Sequence, residues 1–77
     1  MRIVDETNYT IEKTLACLTA GDGKKFHKEL NLVSWRGRPP VYDLRGWNDG
    51  RSEMTKGITL TKEELIQLKE KLGGIEL

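Results

Sequence analysis

From Tyr9 the chain alternates. Tyr9, Ile11, Leu15 and Cys17 share one parity and Thr10, Glu12 and Thr14 the other, with Lys13 the exception on the apolar side. A period of two is the mark of a half-buried strand, predicted here over about residues 9–19. The cluster Thr19-Ala20-Gly21-Asp22-Gly23-Lys24 reads as a turn. In the next run Phe26, Leu30 and Leu32 fall on one parity and Val33 and Trp35 on the other. It closes on a β-branched residue and an aromatic before Arg36-Gly37-Arg38-Pro39-Pro40, which predicts a second strand over about 25–35. Val41 to Trp47 gives a third strand. Tyr42 and Leu44 point one way, and Val41, Asp43, Arg45 and Trp47 the other.

After the polar loop Asn48 to Glu53, Lys56-Gly57-Ile58-Thr59-Leu60 predicts a fourth strand over about 56–60. Thr61 with Glu64 three positions on forms a capping box. The helix it opens runs over about 62–72, carries Leu65, Leu68 and Leu72 on one stripe and ends at Gly73-Gly74. Residues 1–8 give no periodic signal. Four antiparallel strands followed by one amphipathic helix make an α+β domain spanning 1–77, the helix covering one face of the sheet. The other face, carrying Val33, Trp35, Arg45 and Trp47, is left open, and such a face is a partner interface or a nucleic-acid platform.

Length sharpens this. A chain of 77 residues buries little core, and small scaffolds commonly rely on disulfides, a metal or self-association. Cys17 is the only cysteine, His27 the only histidine, and no ligand pair has metal spacing. No cofactor or metal is expected, and a homo-oligomer is. The lone thiol, the absence of an apolar leader and the absence of a stretch long enough to span a bilayer point to a cytoplasmic protein without a membrane partner.

The net charge of +1 conceals an uneven distribution. Between Lys24 and Lys56 eight basic residues face four acidic ones; elsewhere five face eight. A basic centre suits an anionic partner. Within it, V-S-W-R-G-R-P-P-V-Y-D-L-R-G-W at 33–47 holds both tryptophans and three arginines. Aromatic faces interleaved with guanidinium groups stack bases and neutralise phosphates along a single strand. The tetrapeptide Arg36-Gly37-Arg38-Pro39 also matches the core of an AT-hook, although it joins two strands and reads as a hairpin loop.

Asp43-Leu44-Arg45 with Trp47, then Glu53-Met54, Lys56 to Leu60 and the helix from Thr61 form an ordered pattern. It covers roughly 28–72. It resembles the single-stranded-DNA-binding domain of the transcriptional coactivator positive cofactor four, and more closely the small stand-alone bacterial members of that family. The resemblance implies a curved four-stranded sheet and a helix, paired through the helix and last strand into a homodimer, with Leu60, Leu65, Leu68 and Leu72 at the interface. It also implies a strand of DNA lying in the concave channel. The matching contacts are Trp35, Arg36 and Arg38 in the loop between strands, Arg45 and Trp47 after it, and Lys28 and Lys56 along the backbone. Two departures stand out: one residue, not two, separates Arg45 from Trp47, and the loop before Lys56 is short. The serine-rich, acidic arm of the eukaryotic coactivator has no counterpart in this sequence, so coactivation itself is not carried over.

The expected function is thus a homodimeric, sequence-tolerant single-stranded DNA binder in transcription, replication or repair, with RNA a weaker ligand. Two readings of the same residues stay open: a protein-interaction module using the Trp/Arg face, and minor-groove binding through the Arg36–Pro39 loop. Catalysis is not expected. His27 is solitary, Glu63 and Glu64 suit the first turn of a helix, and the resemblance implies that Asp43 next to Arg45 is a family ion pair that fixes the arginine.

Overall fold

The computed structural model describes residues 2–3, 9–18 and 23–77. It contains β1 (Arg2–Ile3), β2 (Tyr9–Cys17), β3 (His27–Trp35), β4 (Val41–Trp47), β5 (Glu53–Leu60) and α1 (Lys62–Leu72). All pairings are antiparallel, in the order β1-β5-β4-β3-β2. The four longer strands are therefore a meander, followed by one helix, as expected. The short β1 is an addition: Arg2 lies opposite Met54 and Ile3 opposite Glu53. That pairing, with Met54 also opposite Trp47, draws Glu53 and Met54 into β5 three residues before the expected start. Residues 19–22, most of the turn expected after β2, lie outside the described residues.

Local chemistry accounts for the junctions. Between β3 and β4, Arg36 and Gly37 both take positive φ, 53° and 74°, and the Arg38 amide donates to the Trp35 carbonyl at 2.9 Å. Two left-handed residues in a row match the right-handed twist of the flanking strands. Ser34 Oγ donates to the Arg38 carbonyl at 2.7 Å and holds the exit toward Pro39. At α1, Thr61 Oγ1 accepts from the Glu64 amide at 3.1 Å, and the Glu64 carboxylate accepts from the Thr61 amide at 2.8 Å. The helix leaves differently from the usual glycine cap. Gly73 stays right-handed at φ −63°, and the amides of Gly73, Gly74 and Ile75 each bond three residues back. That is a tightened last turn with no left-handed residue.

β2 explains its own exception. Its register slips between Ile11 and Lys13 and again between Thr14 and Ala16. Ile11 faces Val33 but Lys13 faces Leu32, so the first irregularity moves Lys13 off the face that carries Tyr9 and Ile11. Leu15, Ala16 and Leu18 end up beside the leucines of the helix side.

The two faces of the sheet reverse the expected roles. Among the described residues the fully buried apolar ones are Val33 and Trp47, and both lie on the face expected to be open. Asn31, Asp43 and Glu29 are buried beside them. The helix, by contrast, buries none of its residues. The reason is curvature. Tyr9 on β2 reaches past β3 to place its ring 5.3 Å from Trp47 on β4, whereas alternate strands of a flat sheet stand roughly 10 Å apart. The Tyr9 hydroxyl also donates to the carbonyl of Arg51, in the β4–β5 loop. The sheet is bent toward this face, which becomes concave and closes on its own side chains.

Candidate nucleic-acid interface

The concave face is built by register. Tyr9 lies opposite Trp35, Glu29 opposite Arg45, Asn31 opposite Asp43 and His27 opposite Trp47. Asp43, fully buried, accepts from Arg45 Nε and Nη2, both at 2.7 Å, in a two-pronged pair. Arg45 Nη1 lies 3.3 Å from Met54 Sδ, and its guanidinium carbon sits 4.8 Å from the centre of the Trp35 ring. A carboxylate below and an indole beside it fix this arginine in one pose. Burial pushes the Asp43 carboxyl above its usual 3.8, while the hydrogen bond and charge of Arg45 pull the other way.

Glycine makes this closeness possible. Gly57 lies opposite Arg45, and a Cβ there would collide with Arg45 Cβ and the Leu44 carbonyl oxygen. The ladder between β4 and β5 is irregular here, with Gly46 of β4 set against Thr55 and Lys56 of β5 between the pairs Arg45–Gly57 and Trp47–Met54.

The expected contact residues separate into three groups. Arg36 and Arg38 are exposed at the tip of the β3–β4 hairpin, next to the half-buried Trp35. Arg45 and Trp47 are enclosed. Arg45 is held by Asp43 with its side chain 14% exposed, and Trp47 has no exposed surface at all. Of the two roles open to Trp47, stacking or packing, the geometry gives packing: the single residue between Arg45 and Trp47 turns the ring into the floor. Lys28 and Lys56 are exposed but stand elsewhere. Lys28 shares the parity of Leu30 and lines a small pocket with Leu18, Phe26 and Thr55 on the helix side. Lys56 lies in the irregular stretch of β5.

Glu29, Asn31, Tyr9 and Arg51 join the site without having been singled out. Glu29 Oε1 accepts from Asn31 Nδ2 at 3.1 Å and from Arg51 Nε at 3.0 Å. The parity that placed Trp35 on this face extends back through Val33 to Asn31 and Glu29, so these two were readable. Arg51 was not, being 22 residues from Glu29 and joined to it only through the fold. The enclosure is incomplete in polar terms. Asn31 Oδ1 and both indole Nε1 atoms are buried without a hydrogen-bond partner, each a cost of about 1–3 kcal/mol.

The opposite face carries an open apolar groove of about 500 Å³, lined by Leu15, Leu30, Leu44, Leu60, Leu65, Leu68 and Leu72 among others. The four residues expected at a dimer interface all line it. Among the described residues no helix is long and apolar enough to cross a membrane.

A bent antiparallel sheet, an arginine-tipped hairpin and a helix with an unburied leucine stripe agree with the pattern at 28–72, and comparison decides the matter. Residues 23–71 match the family model described as Transcriptional Coactivator p15 (PC4). The chain belongs to the p15 (PC4) family. The match takes in β3, β4, β5 and nearly all of α1, while Tyr9 and Thr14 precede it. The chain is also similar to an uncharacterized protein of Treponema pallidum (strain Nichols). The two are 38% identical over 74 residues, which cover 95% of this chain and 85% of that one. At the level of the p15 (PC4) family, membership supports nucleic-acid binding, a transcription-related role and no catalysis.

Proposed function

We propose that this protein is a homodimeric single-stranded DNA-binding protein with little sequence preference, acting where strands are melted in transcription, replication or repair. One observation carries the reading. Arg36 and Arg38 project from a hairpin locked by its own hydrogen bonds, beside a tryptophan whose ring is steadied by a pinned arginine. Phosphates bind the two exposed arginines, and a base stacks on what Trp35 leaves accessible. Arg45 serves the site by holding Trp35, because Asp43 and the ring already occupy its guanidinium. Stacking on an aromatic contributes roughly 1–3 kcal/mol per base, and the arginines add a salt-dependent share.

The dimer rests on the leucine groove. Ile58, Ile66, Leu68 and Leu72 are 40–56% exposed in the single chain, and no helix residue is buried. A second copy laid on the same face covers both grooves at once, since a twofold interface is self-complementary.

The test is a tryptophan-fluorescence titration with oligothymidine, a matched RNA and a matched duplex, each at two salt concentrations. Quenching by oligothymidine, weaker by RNA and weakest by duplex, with affinity falling steeply as salt rises, is the expected result. Preference for an A·T-rich duplex would transfer the function to the hairpin as a minor-groove arm. No binding to any of the three would leave the exposed arginines to a protein partner.

A further inference from the structure

Arg51 is the residue of the concave side that neither the sequence pattern nor the hairpin explains. It sits in the β4–β5 loop at φ 54°, while Gly50 next to it takes no positive φ. A loop needing one left-handed residue would ordinarily place the glycine there. Asn48 closes the loop around it, its side chain accepting from the Glu53 amide and donating to Ser52 Oγ, both at 3.0 Å. The Arg51 side chain then reaches back over the sheet. Nε donates to Glu29 Oε1 at 3.0 Å and Nη2 to Thr14 Oγ1 at 3.1 Å. No described residue accepts from Nη1. The side chain is 39% exposed although its carboxylate partner is 9% exposed. The guanidinium is thus held on two edges from below and offered to solvent on the third.

Tyr9 links this group to the hairpin. Its ring lies 6.0 Å from Trp35 and its hydroxyl bonds the Arg51 backbone. The bend brings the two ends of this face together, since Arg45, opposite Glu29, has its guanidinium carbon 4.8 Å from the Trp35 ring. We infer that Arg51 is a second phosphate anchor, fixed by Glu29 and Thr14, and that a bound strand runs from Arg36 and Arg38 past Trp35 and Tyr9 to its Nη1. The inference rests on the single-strand reading and adds a direction to it. Glu29 also acquires a role. It orients Arg51 but offsets part of its charge, and so limits affinity.

The test compares wild type, Arg51→Ala and Glu29→Gln by fluorescence anisotropy on labelled oligothymidines of roughly 4 to 16 nucleotides, the span single-strand-binding folds occupy. Each length is titrated at several salt concentrations. Arg51→Ala should lower the slope of log affinity against log salt by about 0.7, one phosphate contact on a single strand. The accompanying loss of affinity should be about tenfold at low salt and shrink as salt rises. Glu29→Gln keeps an acceptor for Arg51 and Asn31 and removes a negative charge, so it should tighten binding to long oligomers by about threefold. A latch with a purely structural role gives another result: Arg51→Ala would weaken binding and leave the salt slope unchanged, which overturns the inference. If Arg51→Ala fails to fold, an unchanged affinity and slope in Glu29→Gln overturns it instead. Failure of the underlying reading looks different again, since wild type itself would then show no salt-dependent binding at any length.

Discussion

The two faces of this sheet have nearly opposite characters. The concave face carries carboxylates, an amide, arginines and indoles, yet it holds the buried centre of the chain. The helix side carries a groove lined mostly by leucine, yet it stays open. Burial here follows shape more than polarity. Bending closes one face over its own polar groups, which must then pair internally, as Asp43 does with Arg45 and Glu29 with Arg51. The convex face cannot close on itself, and one helix of 11 residues at its edge is too little to cover it. The proposed second chain would cover it.

The contrast can be broken most forcefully from the leucine side. Leu65→Asp combined with Leu68→Asp should abolish self-association, since burying one leucine is worth about 1.5–3 kcal/mol and a twofold interface counts each twice. Sedimentation equilibrium at tens of micromolar reads this as a shift from dimer to monomer; a dimer that persists would place the contact elsewhere. On the concave side, Gly57→Ala should cost about 3 kcal/mol or more in urea unfolding, because the new methyl group meets backbone that cannot yield. A variant as stable as wild type would show that β4 and β5 are less closely apposed.

Asp43→Asn is the finer probe. It turns one acceptor of the two-pronged pair into an amide donor facing Arg45 and should cost about 1–3 kcal/mol at neutral pH. The pH dependence has a definite sign. Because burial raises the Asp43 carboxyl above 3.8 in the folded chain, the native state binds more protons than the unfolded one in the window just above that value. Asp43 therefore contributes most below the window, and its contribution declines as pH rises through it. Asp43→Asn should lack that decline when unfolding free energies are compared across mildly acidic pH. Smallest of all is Thr61→Ala, which removes one half of the capping box and should cost about 1 kcal/mol. Because the cap belongs to neither face, the loss should be the same at any protein concentration once dimerisation is accounted for.

Local signals in the sequence were strong where the structure is local. The capping box at Thr61 and Glu64, the hairpin at Arg36-Gly37 and the alternation of β4 each depend on neighbours within a few residues, and each is legible. So was the ion pair of Asp43 and Arg45, two residues apart on one parity. What escaped depends on distant partners. Lys13 looked like an error in a pattern until pairing with β3 showed the irregularity. Glu53 and Met54 looked like loop because their partners are β1 and Trp47. The assignment of open and closed faces failed for the same reason. Parity tells which side chains share a face, but only curvature tells which face closes, and curvature comes from irregularities that no periodicity announces. Trp47 and Arg51 show it: the ring packs inside, and the loop arginine stays partly exposed.

The two faces should also separate in function, and sedimentation velocity on Trp35→Ala combined with Arg38→Glu, recorded at once for protein mass and for a labelled oligothymidine, asks whether they do. The variant should sediment as an intact dimer with the oligonucleotide left behind, while wild type carries it along. An oligonucleotide that still travels with the variant as it does with wild type would contradict the assignment of strand binding to the concave face.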